Sequence, residues 1–219
     1  MSFSTIGMKK NVWIIVILII IALGIWYVKK VKTTPADTSM TTYKNSETGL
    51  SFNYPKILTL GSNGNTVTLH HEVPFAHHDF CDFKGERMTT IPNLTDFNVK
   101  FHIVGKSLID TMKTESPYIP QENFVNGKVV ESPGFIDRFA VGNLKGWRIF
   151  EGAEGCGQTI YYFPISGTTT LVVQSELITL FSGAIDERVE NQAMDVPGVI
   201  NKEKNQEIFR SVLKTLQIQ

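Results

Sequence analysis

The chain has 219 residues, 42% of them apolar, with 21 basic and 21 acidic side chains and two cysteines. That length suffices for one domain with its own core. The balance also conceals a division: Lys9, Lys10, Lys29, Lys30 and Lys32 precede residue 33, whereas every acidic residue follows it. Residues 33–219 therefore carry sixteen basic against 21 acidic residues, a net charge of −5, which excludes the clustered positive surface that nucleic acid requires.

Residues 12–28 form a run without a single charge, bracketed by those lysines, with Trp13, Trp26 and Tyr27 near its ends. As a helix it would span roughly 25 Å, slightly short of a hydrocarbon core of about 30 Å, and the flanking lysines can snorkel to the headgroups. A cleaved signal needs a small-x-small site after its apolar core. Here the core ends Gly24-Ile25-Trp26-Tyr27-Val28, and no cysteine follows it for lipid attachment. A buried core helix seldom stands between such polar flanks. The expectation is an uncleaved transmembrane anchor. Its lysines barely orient it; a long following domain translocates regardless of them, which puts the N-terminus in the cytoplasm and the domain outside. The chain then divides into a tail (1–11), an anchor (12–28), a polar linker (29–42) and an extracytoplasmic domain (43–219).

In that domain, Leu50, Phe52 and Tyr54 alternate with polar residues as in a strand. Residues 57–60 and 66–71 flank the turn-rich 61–65, a hairpin. Apolar residues take every second place from Phe97 to Ile103, leaving Asn98, Lys100 and His102 on a wet face. Residues 107–114 suit a short helix capped by Ser107, with Leu108, Ile109 and Met112 on its apolar side. Strand signals follow at 135–139, where Asp137 and Arg138 read as the wet side, and at 147–150, 159–165 and 169–173. Ile208, Phe209, Val212, Leu213 and Leu216 form the stripe of a final helix with Asn201 as its cap. Strands with helices at irregular intervals predict an α+β fold, an antiparallel sheet with flanking helices.

A resemblance sharpens that expectation. Tyr43-Lys44-Asn45 with Gly49-Leu50-Ser51-Phe52-Asn53-Tyr54-Pro55, and the close from Ile208 to Ile218, resemble the first strand and last helix of PsbP-like domains. Residues 77–85 and 94–97 are similar to uncharacterised membrane-anchored bacterial proteins. The resemblance implies an α-β-α sandwich and a non-catalytic accessory or binding role. It carries over no catalytic residue.

Cys81 and Cys156 would pair in an oxidising compartment, a bridge worth about 4.5 kcal/mol in the chain-entropy account. In a cytoplasmic domain they would instead be free thiols. Four of the five histidines fall within residues 70–78. His70, His77, His78 and Asp79 are candidate transition-metal ligands, since imidazole and carboxylate suit Zn, Cu or Ni. The spacing fits no known frame, because Phe75 stands where a zincin's second histidine belongs. On a strand His70 and His71 face opposite ways, so His71, sharing a face with Val67 and Leu69, reads as a core or edge histidine with one hydrogen bond. His102 reads as solvated surface.

The glycines of residues 151–157 lie between two strand signals, which excludes the strand-to-helix dinucleotide fingerprint and favours a turn presenting Cys156. Glu151 and Glu154 are candidate cation ligands with Asp79 or Asp82, if a bridge brings the two loops together. Gly-x-Ser-x-Gly and phosphate-loop motifs are absent. The leading expectation is a membrane-anchored binding or assembly module with no cofactor, acting on another envelope protein. The alternative is a metal carrier or metal-dependent hydrolase built on the histidine cluster, and a third reading is a structural spacer.

Overall fold

The computed structural model describes residues 39–81 and 90–218. The expected anchor at 12–28 and Asp82 lie outside the described residues. No helix among the described residues is long and apolar enough to cross a membrane.

Long antiparallel strands dominate. A seven-stranded sheet runs in the order β3 (Thr59–Asn63), β4 (Thr66–His78), β5 (Thr90–Val104), β11 (Thr169–Glu176), β10 (Cys156–Ser166), β9 (Leu144–Ala153), β8 (Ile136–Val141). A second sheet sets β2 (Leu50–Pro55) between β1 (Met40–Lys44) and β12 (Gln217–Ile218). The small hairpin β6 (Phe124–Val125) and β7 (Lys128–Val129) completes the strands. The helices are α1 (Leu108–Glu115), α2 (Glu187–Met194) and α3 (Lys202–Thr215).

This corrects the α+β expectation and the α-β-α sandwich the resemblance implied: the fold is mainly β. Two of its three helices have eight residues, so they cover patches of the sheet and build no continuous layer. The sequence reading undercounted strand because it stopped one strand at His71 and began the next at Phe97. In the structure β4 continues to His78 and β5 begins at Thr90, with register shifts at His71/Glu72 and between Pro74 and His77. A bulge is where a sheet tolerates proline, so Pro74, which reads as a stop, lies inside a strand of 13 residues. The helix caps were read correctly: Ser107 Oγ accepts from Asp110 N–H and Asn201 Oδ1 from Lys204 N–H.

Alternation gives the large sheet two distinct faces. One carries Val67, Leu69, Phe97, Val99, Phe101, Leu171 and Val173, all buried against α3 and β2. Phe52 of β2 stacks on Phe101 with ring centres 4.8 Å apart. The stripe of α3 reaches the same core through Ile208, Phe209, Val212 and Leu213. The other face is covered only in part. There Met112 of α1 and Ile119 pack on Ile149, Ile160, Tyr162 and Val172.

A fully buried carboxylate ties these parts together. Asp96 Oδ1 lies 2.7 Å from His71 Nδ1, its Oδ2 accepts the Ile200 N–H at 2.7 Å, and its backbone carbonyl accepts Asn205 Nδ2 at 2.6 Å. His71 thus points into the protein with one hydrogen bond, as its place beside Val67 and Leu69 predicts. Its partner was invisible in sequence, where Asp96 sits among strand residues. Removing the carboxyl group leaves the His71 ring and the Ile200 N–H without their partner, and each buried group so stranded costs about 1–3 kcal/mol. Asp96→Ala should lose stability on that scale in urea unfolding. A loss under about 1 kcal/mol, the size of a surface pair, would show that the carboxylate anchors nothing.

Candidate functional site

The histidines do not gather. His70 lies on the partly open face of the sheet, opposite Asn98 in register, and roughly 20 Å along the strand from His77. His77 Nδ1 lies 2.5 Å from the His78 carbonyl and Nε2 3.2 Å from that of Asn93, while its ring stacks on Phe80 at 4.5 Å. With each ring nitrogen facing a carbonyl oxygen, the side chain packs at a strand end among backbone groups. Asp79 accepts the Cys81 N–H at 2.9 Å. Among the described residues no three His, Cys, Asp or Glu side chains are placed to hold a metal ion. Period-two alternation and the two bulges disperse what lies close in sequence.

Cys81 and Cys156 form a disulfide, with Cα atoms 5.8 Å apart. The Thr179 hydroxyl lies 3.1 Å from Cys81 Sγ and 3.5 Å from Cys156 Sγ. The bridge joins the segment after β4 to the first residue of β10. The glycines around Cys156 serve that junction. Glu154 and Gly155 both have positive φ at the β9–β10 turn. Gly152 pairs with Gly157 so closely that a Cβ on either would stand about 2 Å from a carbonyl oxygen of the facing strand (2.2 Å and 2.1 Å). The expected turn presenting Cys156 is therefore what these glycines build. The bridge does not bring Glu151 and Glu154 together with Asp79 as a cation site among the described residues.

Glu151 belongs to a different assembly. Where α1 stops covering the sheet, a polar trough of about 560 Å³ opens over β5, β11, β10 and β9. Its floor carries Asn98, Lys100, Gln174, Glu176, Gln158 and Glu151, and Cys156 lies at its edge. Asn98 Nδ2 donates to Glu176 Oε2 at 2.5 Å, and Gln158 Nε2 donates to Glu151 Oε2 at 2.7 Å. Asn98 Oδ1 is buried with no hydrogen-bond partner. Such an orphan costs about 1–3 kcal/mol, and native structures keep few of them without a role. Lys100 is exposed and makes no ion pair with another described residue.

A hydrogen-bonded column supports the trough from the covered side. Tyr118 OH donates to Ser116 Oγ at 3.1 Å, and Ser116 Oγ meets the Tyr162 hydroxyl at 2.8 Å; Ser116 and Tyr162 are fully buried. Burial first, then the nearby Glu151 charge, push the Tyr118 phenol up to about 12, and burial raises Tyr162 as well. No protein-family model matches the chain, and neither does any curated protein.

The trough is a fixed array of amides, carboxylates and one ammonium, which together donate to and accept from hydroxyl groups. Sequence reasoning found Glu151 alone of its carboxylates. The available signal was the wet side of the strand from Phe97 to Ile103: Asn98 and Lys100 face a cavity floor because that strand is central in the sheet.

Two outcomes follow. Cys156→Ser should lower stability by about 2–5 kcal/mol and abolish the mobility difference between reducing and non-reducing gels; no such difference in the wild type would mean the thiols are free. A raised phenol stabilises the fold below the unfolded value of 10.0 and loses that contribution as pH climbs towards about 12. Tyrosinate absorbance should therefore show late-titrating tyrosines, one fewer in Tyr118→Phe. Uniform titration near 10 would contradict the buried column.

Proposed function

We propose that this chain is a binding module outside the cytoplasm, held at a membrane by residues 12–28, which takes a small hydroxyl-rich ligand in the polar trough. The observation that carries the binding reading is the orphaned Asn98 Oδ1 beneath a floor of convergent amides and carboxylates. Largely preformed sites combine a cavity of a few hundred Å³ with a few placed polar groups, and polyols match a mixed donor and acceptor surface better than any single charged ligand does. The location rests on the disulfide, which belongs to oxidising compartments, and on the lysine-flanked apolar run. In this reading the domain acts without catalysis, and its loaded or empty form meets another envelope protein. The metal-centred alternative gains no support from the placement of His70, His77, His78 and Asp79.

The test uses the full chain in a detergent without a sugar headgroup, titrated with soluble disaccharides and polyols and followed by NMR shifts of trough amides. Binding should weaken about tenfold in Asn98→Leu, the scale of one or two lost hydrogen bonds. Shifts scattered away from Asn98, Gln158 and Gln174 would refute the trough. For location, protease added to intact cells should digest residues 43–219; full protection would place the domain in the cytoplasm.

A further inference from the structure

The opposite face of the large sheet holds a second cavity that the trough reading does not use. Helix α3 crosses that face. Between its flank, the 177–182 segment and strands β8 to β10 lies a groove of about 520 Å³. Its walls are aromatic: Phe139, Phe150, Tyr161, Phe181 and Phe209. Tyr161 packs against Phe139 at 4.6 Å and Phe209 at 5.2 Å between ring centres. Phe150 stays 40% exposed at the mouth, an apolar ring left facing water.

The same groove collects Arg148, Lys202 and Arg210, while the Glu176 side chain turns to the trough face. Arg148 Nη2 is held by Asp137 at 2.7 Å, which fixes its position. Lys202 Nζ donates to the Phe181 carbonyl at 3.2 Å. Glu176 is occupied by Asn98. Arg210 makes no hydrogen bond or ion pair with another described residue, yet its charge and that of Arg148 both reach the Tyr161 hydroxyl, easing the phenol that burial otherwise raises. Two guanidiniums from different elements, one of them unpaired, line the same aromatic cavity as the Tyr161 side chain, and Arg148 is the register partner of Tyr161. Guanidinium forks favour planar oxyanions, and the exposed ring beside them favours a second aromatic ring.

We propose that this groove is a second, independent binding site for an aromatic anion of the class of aryl phosphates and aryl carboxylates, with its acid group between Arg148 and Arg210 and its ring against Phe150.

Calorimetry on the full-length protein with phenyl phosphate, inorganic phosphate and benzyl alcohol tests this. Phenyl phosphate should bind more tightly than either fragment and weaken as salt rises. It should lose about tenfold in affinity in Arg210→Gln, the scale of one charge-assisted hydrogen bond, and lose affinity also in Phe150→Ala. Both side chains are exposed, so neither variant threatens the fold, and Arg188→Gln, far from the groove lining, should change nothing. Binding of inorganic phosphate as tight as that of phenyl phosphate would overturn the aromatic half of the proposal, and equal binding of benzyl alcohol the anionic half. Undiminished affinity in Arg210→Gln, or no binding at all, would overturn the site. Polyol shifts in the trough should persist in Arg210→Gln, so failure here leaves that reading separately decided.

Discussion

Everything on the α3 side of the sheet depends on one buried carboxylate. The Asp96 carboxylate receives His71 and the backbone of Ile200, while its main-chain carbonyl receives the amide of Asn205; the residue so joins β4, the approach to α3 and the first turn of α3 to β5. A carboxylate taken out of water is tolerable only when its oxygens are matched by donors, and each donor here comes from a different part of the chain. The carboxylate therefore acts as a positional constraint: it places Asn201 as a cap and starts α3 where its apolar stripe meets Phe97, Phe101 and Tyr161. A helix rotated or displaced at its start would expose that aromatic surface and close the groove beside it.

The two faces of the sheet have divided their tasks. One is packed by a helix and a small second sheet and keeps an aromatic, cationic groove at its margin. The other is half covered by α1 and keeps a polar trough where cover ends. The groove lies along the flank of α3, and the trough lies over strands that α1 leaves uncovered. A true helical layer on each face would have filled them. The departure from a sandwich is thus the physical origin of both candidate sites.

Much of the strand content was legible because alternation is a local signal. Leu50, Phe52 and the run from Phe97 to Ile103 announce which way each side chain points. The extension of β4 through Pro74 was not legible, since a bulge depends on the partner strand and proline alone reads as a break. The pairing of Cys81 with Cys156 was legible from their count, given an expected oxidising compartment. The histidines close together in sequence part in space for a geometric reason: alternate strand residues face opposite ways, and each ring nitrogen of His77 faces a backbone carbonyl. Glu151 could be singled out beside its glycines, but Asn98, Gln158, Gln174 and Glu176 come from three strands whose order in the sheet no local pattern reveals. Asp96 was hidden in the same way, its donors lying 25 and 104 residues distant.

The two-residue strand β12 pairs Ile218 with Leu50 and Gln217 with Ser51, so residues far apart in the chain complete one small sheet. Until they arrive, β2 has one bare edge and no α3 to lie against. The small sheet therefore cannot mature segment by segment as it emerges; β2 keeps one edge bare until β12 and α3 have been made. A holding factor or rapid delivery of the whole polypeptide would matter more to the domain's yield than the intrinsic speed of any single hairpin.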